Sequence, residues 1–231
     1  MHIDIKRACL LEIDVQNDFC PAYTSMPGGE IPAGALAVNK GDEVIAPLNA
    51  LATAFAEAGG RVAASQDWHP CGHISFASSH AGRNVGELIE LEAVKVQMLW
   101  PDHCVQGTRG AAFHEKLDLK PVSIVIRKGF RKGLDSYSAF FENDRKTPTG
   151  LEGWLKSLGV TQLIIGGLAT DYCVFYSAMD ALALGFQTII ASDAVRGVDY
   201  PAGSVEQAVE TMKKSGVVFA ESGELLVGMG K

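Results

Sequence analysis

Thr161–Gln162–Leu163–Ile164–Ile165–Gly166–Gly167–Leu168–Ala169–Thr170–Asp171–Tyr172–Cys173 is the stretch that decides the fold. Its first five residues make a short, apolar, partly β-branched run, which reads as a buried strand. After Cys173 the period changes, and Val174, Ala178, Ala181 and Leu182 recur at helical spacing. A strand therefore passes through a small-residue turn into a helix, with Cys173 at the helix start. An open α/β sheet binds its ligands at such junctions. The N–H groups at a helix start favour an anion, so a thiol placed there ionises readily. Taken alone, the stretch leaves two readings of Cys173. It is a catalytic nucleophile, or it is the buried, inert cysteine that most free thiols become.

Working outward, the same strand-then-helix alternation recurs. Ala8–Val15 predicts a strand that ends near Asp14, followed by a Gly/Pro-rich loop from Pro21 to about Gly41. Asp42–Glu43–Val44–Ile45 opens a helix whose apolar face continues through Leu48, Leu51, Ala52 and Phe55 to Gly59–Gly60. Arg61–Asp67 is the second strand, and Val122–Ile126 is the third, closed by Arg127–Lys128. Between them runs a long irregular excursion, Trp68–Pro121, in which Glu87–Leu91 is expected to form a short helix. Its His, Trp and Cys content marks it as functional. A helix at Leu151–Leu158 precedes the opening stretch. Phe186–Ala191 is a fifth strand, Val205–Lys214 a helix and Val217–Phe219 a last strand.

This order predicts an α/β chain, a three-layer αβα sandwich around a six-stranded, mainly parallel, doubly wound sheet, with residues 1–231 forming one domain. The consequence for function is direct. Asp14, Asp67, Lys128 and Cys173 each fall at or just past the C-terminal end of a strand, and in a parallel sheet those ends share the ligand-binding edge. Their company favours the nucleophile reading of Cys173. A thiol needs a base within reach to lose its proton, which Asp14 supplies. A nearby Lys128 favours both carboxylate and thiolate. A plain salt bridge closing two strand ends is the alternative for the Asp14–Lys128 pair.

Asp67–Trp68–His69 is extended, so residues 67 and 69 face the same way and can meet one ion. His103, from the far end of the excursion, closes the set. Two imidazoles and a carboxylate suit Zn²⁺, with Fe²⁺ or Mn²⁺ as alternatives, and leave positions open for water or substrate. His73 stands as a fourth ligand or as a group behind the ligands. The alternative is that these are ordinary loop histidines bonded to backbone.

Bulk properties bound the rest. The 231 residues are 47% hydrophobic and 20% charged with a net charge of −7, an ordinary globular composition that offers no basic face for nucleic acid or an anionic membrane. No apolar run approaches the ~20 residues that span a bilayer. The N-terminus lacks a signal-peptide layout. The five cysteines contain no C-x-x-C and read as reduced thiols, which predicts a cytoplasmic chain. The dinucleotide, P-loop and serine-elbow glycine motifs are all missing.

Several segments together resemble a known family. Asp14–Val15–Gln16–Asn17–Asp18–Phe19, Asp67–Trp68–His69–Pro70, Trp100–Pro101–Asp102–His103–Cys104–Val105–Gln106–Gly107–Thr108, Lys128–Gly129, Asp135–Ser136–Tyr137–Ser138–Ala139–Phe140 and Gly167–Cys173 are similar to the nicotinamidases among the isochorismatase-like cysteine hydrolases. The likeness runs in order from Asp14 to about Asp199. It implies hydrolysis of nicotinamide, and of pyrazinamide, to the acid and ammonia within NAD salvage. It also implies an Asp14–Lys128–Cys173 triad and a divalent metal on Asp67, His69 and His103. Phe19, Trp100 and Tyr137 would lie around the substrate ring. A cis peptide between Leu168 and Ala169 would build an oxyanion hole from the N–H groups of Ala169 and Cys173. Self-association is common in the family. The triad also serves other isochorismatase-like amidases, which lack the D-x-H metal set. A non-catalytic module binding a metal or small ligand is the reading from a different class.

Overall fold

Ala8–Ile13 is buried along its whole length, as a strand must be when both faces of its sheet are covered. The computed structural model describes residues 2–25, 28–92 and 94–230. The strands are β1 (Ala8–Ile13), β2 (Tyr23–Thr24), β3 (Glu30–Ile31), β4 (Arg61–Asp67), β5 (Leu88–Ile89), β6 (Gln97–Met98), β7 (Val122–Lys128), β8 (Gln162–Leu168), β9 (Gln187–Arg196) and β10 (Val218–Ala220). The helices are α1 (Ile45–Glu57), α2 (Leu151–Ser157), α3 (Phe175–Ala183), α4 (Ser204–Ser215) and α5 (Ser222–Met229).

Six strands form one parallel sheet in the order β10-β9-β8-β1-β4-β7, and β2-β3 and β5-β6 are small antiparallel ribbons. The order moves outward in both directions from β1, so the winding is double and the switch point lies between β1 and β8. One face of the sheet packs on α1 and α5 through Leu10, Leu48, Leu51, Phe55 and Leu225. The other packs on α2, α3 and α4 through Leu11, Leu155, Ala178, Ala181 and Met212. The expected three layers are present. No helix among the described residues is long and apolar enough to cross a membrane. The described cysteines are all free thiols.

Three expectations change. Glu87–Leu91 is not a helix: Leu88 and Ile89 pair antiparallel with Met98 and Gln97. Two residues of ladder decide that segment, and the partner lies beyond the reach of local periodicity. The fifth strand runs past Ala191 to Arg196, because β8 slips register between Ile165 and Gly167 and re-pairs Gly167 with Val195. Third, Cys173 does not open a regular α-helix; Thr170–Val174 is a π turn that leads into α3. Gly167 turns there with φ 120°, and a Cβ would stand 2.7 Å from the Ile13 nitrogen, so no other residue fits where β8 crosses the end of β1.

Glu12 is an anomaly in β1. It is 1% exposed, and neither carboxyl oxygen meets a hydrogen-bond partner among the described residues. Burial first, and the charge of Asp118 second, push its pKa from an ordinary 4.5 up to about 8. The folded chain thus keeps a proton that the unfolded chain releases within that window. The associated stability is complete below the lower value and declines as pH rises toward the upper, by up to about 1.4 kcal/mol per pH unit. Chemical denaturation of wild type against Glu12→Gln from pH 5 to 8 should show wild type losing ground steadily. Parallel profiles would assign the proton elsewhere.

Candidate active site

The sheet's C-terminal edge gathers the residues singled out above. Asp14 follows β1 in a left-handed turn with φ 48°, which lifts its side chain off the strand line. Ser65 on β4 donates its hydroxyl to Asp14 Oδ1 at 2.7 Å, and Lys128 Nζ pairs with Asp14 Oδ2 at 2.9 Å. Lys128 closes β7 and is fully buried. Its ammonium also meets Asp67 Oδ1, donates to the Ser136 carbonyl at 2.9 Å and reaches Cys173 Sγ at 3.4 Å. Asp67 lies directly opposite Lys128 in the β4–β7 register.

Electrostatics follow from that burial. Desolvation pushes the Cys173 thiol well above its ordinary range; the Lys128 charge opposes the shift and Asp14 adds to it. Desolvation likewise raises Asp14, again against Lys128. Burial works against a charge on Lys128, but Asp14 and Asp67 outweigh it and hold the ammonium protonated. The expected activation of Cys173 by a helix start is therefore replaced by another device. Acid and thiol are both raised by burial, and a fixed positive charge stands beside them that favours the anionic form of each.

The second set stands beside the first. His69 is fixed by a parallel bridge to Val105 and His103 by its own loop. His69 Nδ1 donates to the Gly129 carbonyl at 2.9 Å and His103 Nδ1 to the Pro101 carbonyl at 2.8 Å. Because carbonyls only accept, both Nδ1 atoms carry hydrogen and both Nε2 atoms turn inward. Those Nε2 atoms lie 3.5 and 3.9 Å from Asp67 Oδ2. Burial, then the charge of His69, holds the His103 pKa down at about 4, so its Nε2 presents a lone pair at neutral pH. Asp67, His69 and His103 are all buried, with donor atoms within 4.8 Å of one another. Burial opposes a charge on His69, yet Asp67 raises its pKa, so Asp67 Oδ2 and the two Nε2 atoms surround a spot that favours positive charge. Asp14, Asp67 and Asp135 bring three carboxyl groups to this region against one ammonium. The donor set fits a divalent metal. Gly129 makes room for the His69 ring: at φ 63° it carries the carbonyl that orients His69, and a Cβ would lie 2.7 Å from His69 Nδ1.

His73 stacks on His69 at 4.3 Å between centroids. Its Nδ1 is bonded to Ser75 Oγ at 2.7 Å and its Nε2 lies 3.3 Å from the Leu134 carbonyl, so both ring nitrogens are engaged behind the ligands.

Cys173, His69 and His103 line one pocket, together with Phe19, Trp100 and Tyr137. Tyr172 packs edge-on against Trp100 at 4.9 Å, and Trp100 Nε1 donates to the Tyr137 hydroxyl at 3.1 Å. Ala169 reaches the same pocket across a cis Leu168–Ala169 bond. Every sequence-predicted site residue therefore meets in one place.

Ser65, Asp135, Tyr172, Leu36 and Val198 complete the site and were not singled out from sequence. Strand alternation carries a signal for Ser65, which shares a face with Asp67. Tyr172 and Asp135 lie inside quoted motifs. Leu36 and Val198 arrive on loops whose sequence says nothing of their destination.

Comparison with known proteins agrees with this geometry. The isochorismatase domain model matches residues 8–224. A nicotinamidase of Acinetobacter baylyi is 43% identical over 218 residues, 94% of each chain. A solved nicotinamidase/pyrazinamidase of Acinetobacter baumanii, also 43% identical, superimposes with a TM-score of 0.86 over 96% of this chain and 100% of that one. A pyrazinamidase of Pyrococcus horikoshii, solved in complex with zinc, is 33% identical with a TM-score of 0.73 over 93% and 99%. With the sheet order, the strand-end cluster and a family match over nearly its whole length, the chain belongs to the isochorismatase family.

Proposed function

We propose that this chain is a nicotinamidase, a cysteine amidohydrolase that converts nicotinamide to nicotinate and ammonia and accepts pyrazinamide. The observation that carries the reading is the joint construction of one pocket. A thiol with its acid and ammonium, a metal donor set and an aromatic lining all open into it. A flat heteroaromatic amide has a use for each: the ring for the aromatics, the ring nitrogen for the metal, the carboxamide for the thiol.

In this mechanism Phe19, Trp100 and Tyr137 hold the ring. Asp14 takes the thiol proton and Cys173 Sγ attacks the carboxamide carbon. The N–H groups of Ala169 and Cys173 receive the developing oxyanion. Asp14 returns the proton to the leaving nitrogen, ammonia departs, and a thioester remains on Cys173. Asp14 then deprotonates the water that cleaves it. Lys128 keeps its charge throughout and favours each anionic form of its neighbours. Asp67, His69 and His103 would hold the metal, Zn²⁺ or alternatively Fe²⁺ or Mn²⁺, which supplies a Lewis acid for the ring nitrogen and for water.

The test is direct. Purified protein incubated with nicotinamide should release ammonia and nicotinate in equal amounts, and absence of both would overturn the reading. His103→Ala should lose most of its metal by elemental analysis and raise KM at least about tenfold. Full metal content in that variant would remove His103 from the site.

A further inference from the structure

β1 and β4 have conflicting tasks at the sheet edge. β1 pairs with β4 only as far as Glu12 opposite Ala64, and Asp14 then turns away toward Lys128. The last backbone bond between the two segments runs from Asp14 N–H to the Ser65 carbonyl. β4, however, continues to Asp67, which must stand at a fixed height to meet Lys128 on one side and the two imidazoles on the other. Trp68 N–H is satisfied across the sheet by the Lys128 carbonyl. The N–H and carbonyl of Asp67 face the opposite way, where β1 has already left.

Gln16 fills that gap. Its Oε1 accepts from Asp67 N–H at 2.8 Å and its Nε2 donates to the Asp67 carbonyl at 2.8 Å. The second Nε2 hydrogen goes to the Ala111 carbonyl, also at 2.8 Å. The side chain is fully buried. Its own backbone N–H is bonded to the Asp14 carbonyl at 2.7 Å. A primary carboxamide carries one donor and one acceptor side by side, as a peptide does, and here it meets both backbone groups of a single residue. It serves as the missing rung of the β1–β4 ladder.

We propose that Gln16 is a positioning residue that replaces β1 in the sheet at the level of Asp67. It lets the acid Asp14 leave the strand line while the metal ligand Asp67 stays in register. Gln16 is not among the residues that line the pocket, and it acts through the Asp67 backbone. The proposal rests on the metal reading above, and supporting groups of this kind commonly set metal affinity by about 10- to 100-fold.

The experiment has three arms. Hydrogen exchange on wild type, with and without added Zn²⁺, should find the Asp67 amide protected to the same degree as Trp68; exchange at the rate of an exposed loop amide would overturn the proposal. Gln16→Met keeps length and volume but removes the amide. Gln16→Glu keeps an acceptor for Asp67 N–H but sets a carboxylate against the Asp67 and Ala111 carbonyls. Measured by chelator competition well below the unfolding temperature, each should hold Zn²⁺ about 10- to 100-fold more weakly than wild type. Wild-type affinity in either folded variant would overturn the proposal. Wild type that binds no divalent metal would fault the metal reading instead, and the amide exchange then decides on Gln16 alone.

Discussion

Replacing Cys173 by alanine is expected to lower nicotinamide turnover by roughly 10⁵- to 10⁶-fold, the scale seen when a catalytic nucleophile is removed. The choice among the thiols is physical. Cys9 and Cys20 are buried, and desolvation pushes both up to about 12. Cys104 is buried as well and raised well above its ordinary range. Cys71 is exposed. Cys173 is raised too, but it alone lies 3.4 Å from a buried ammonium and lines the aromatic pocket. Losing one sulfur beside Val174 and Ala178 leaves a small gap, so the variant should fold and keep its metal. Cys173→Ser should also fail, because Asp14 is too weak a base to ionise an alcohol. Ammonia release by Cys173→Ala within tenfold of wild type would dismiss the thioester route.

Much of this site could be read from sequence, because a parallel sheet converts strand order into position. Once Asp14, Asp67, Lys128 and Cys173 are placed at strand ends, their meeting needs no long-range information. Asp67 and His69 share a direction through strand alternation. The features that escaped depend on contacts without a local period. Gln16 grips Asp67 from 51 residues away, and Ser65 reaches Asp14 over the same separation. β5 is a strand only because β6 lies beside it. The state of Cys173 differs from the sequence expectation for a related reason: a helix start predicts a stabilised thiolate, but depth of burial, which no motif states, dominates the thiol. The turn before α3 is a π turn closed onto the Ala169 carbonyl by the N–H groups of Tyr172 and Val174.

Lys128→Met is expected to damage both stability and activity, and the two losses should separate by pH. The ammonium is fully buried and touches Asp14, Asp67, the Ser136 carbonyl and Cys173. Met matches its volume but satisfies none of them. Removing one partner of a buried charge cluster costs about 3–5 kcal/mol, because the remaining charges stay desolvated. In the variant Asp14, already raised by burial, loses the charge that opposes that shift and rises further above the unfolded carboxylate value of about 4, while Asp67 loses the largest of the charges that hold it low. A raised carboxyl contributes stability that is complete below that value and is lost as pH rises through the folded one. Urea denaturation should therefore find the variant weaker than wild type already at pH 5, where wild type keeps the Lys128–Asp67 pair, and weaker by a wider margin at pH 8, where the raised Asp14 adds its loss. Activity follows a different rule. The ammonium that favours both the Asp14 carboxylate and the Cys173 thiolate is missing at every pH, so turnover should stay lost from pH 5 to pH 8 while the stability gap changes. Equal stability of variant and wild type at pH 8 would show that the cluster does not depend on the ammonium. Lys128→Arg tests geometry against charge: it keeps the cation but adds a planar fork to a fully enclosed position. It should restore little of either property, since here the compact point charge is what two carboxylates, a carbonyl and a thiol all share.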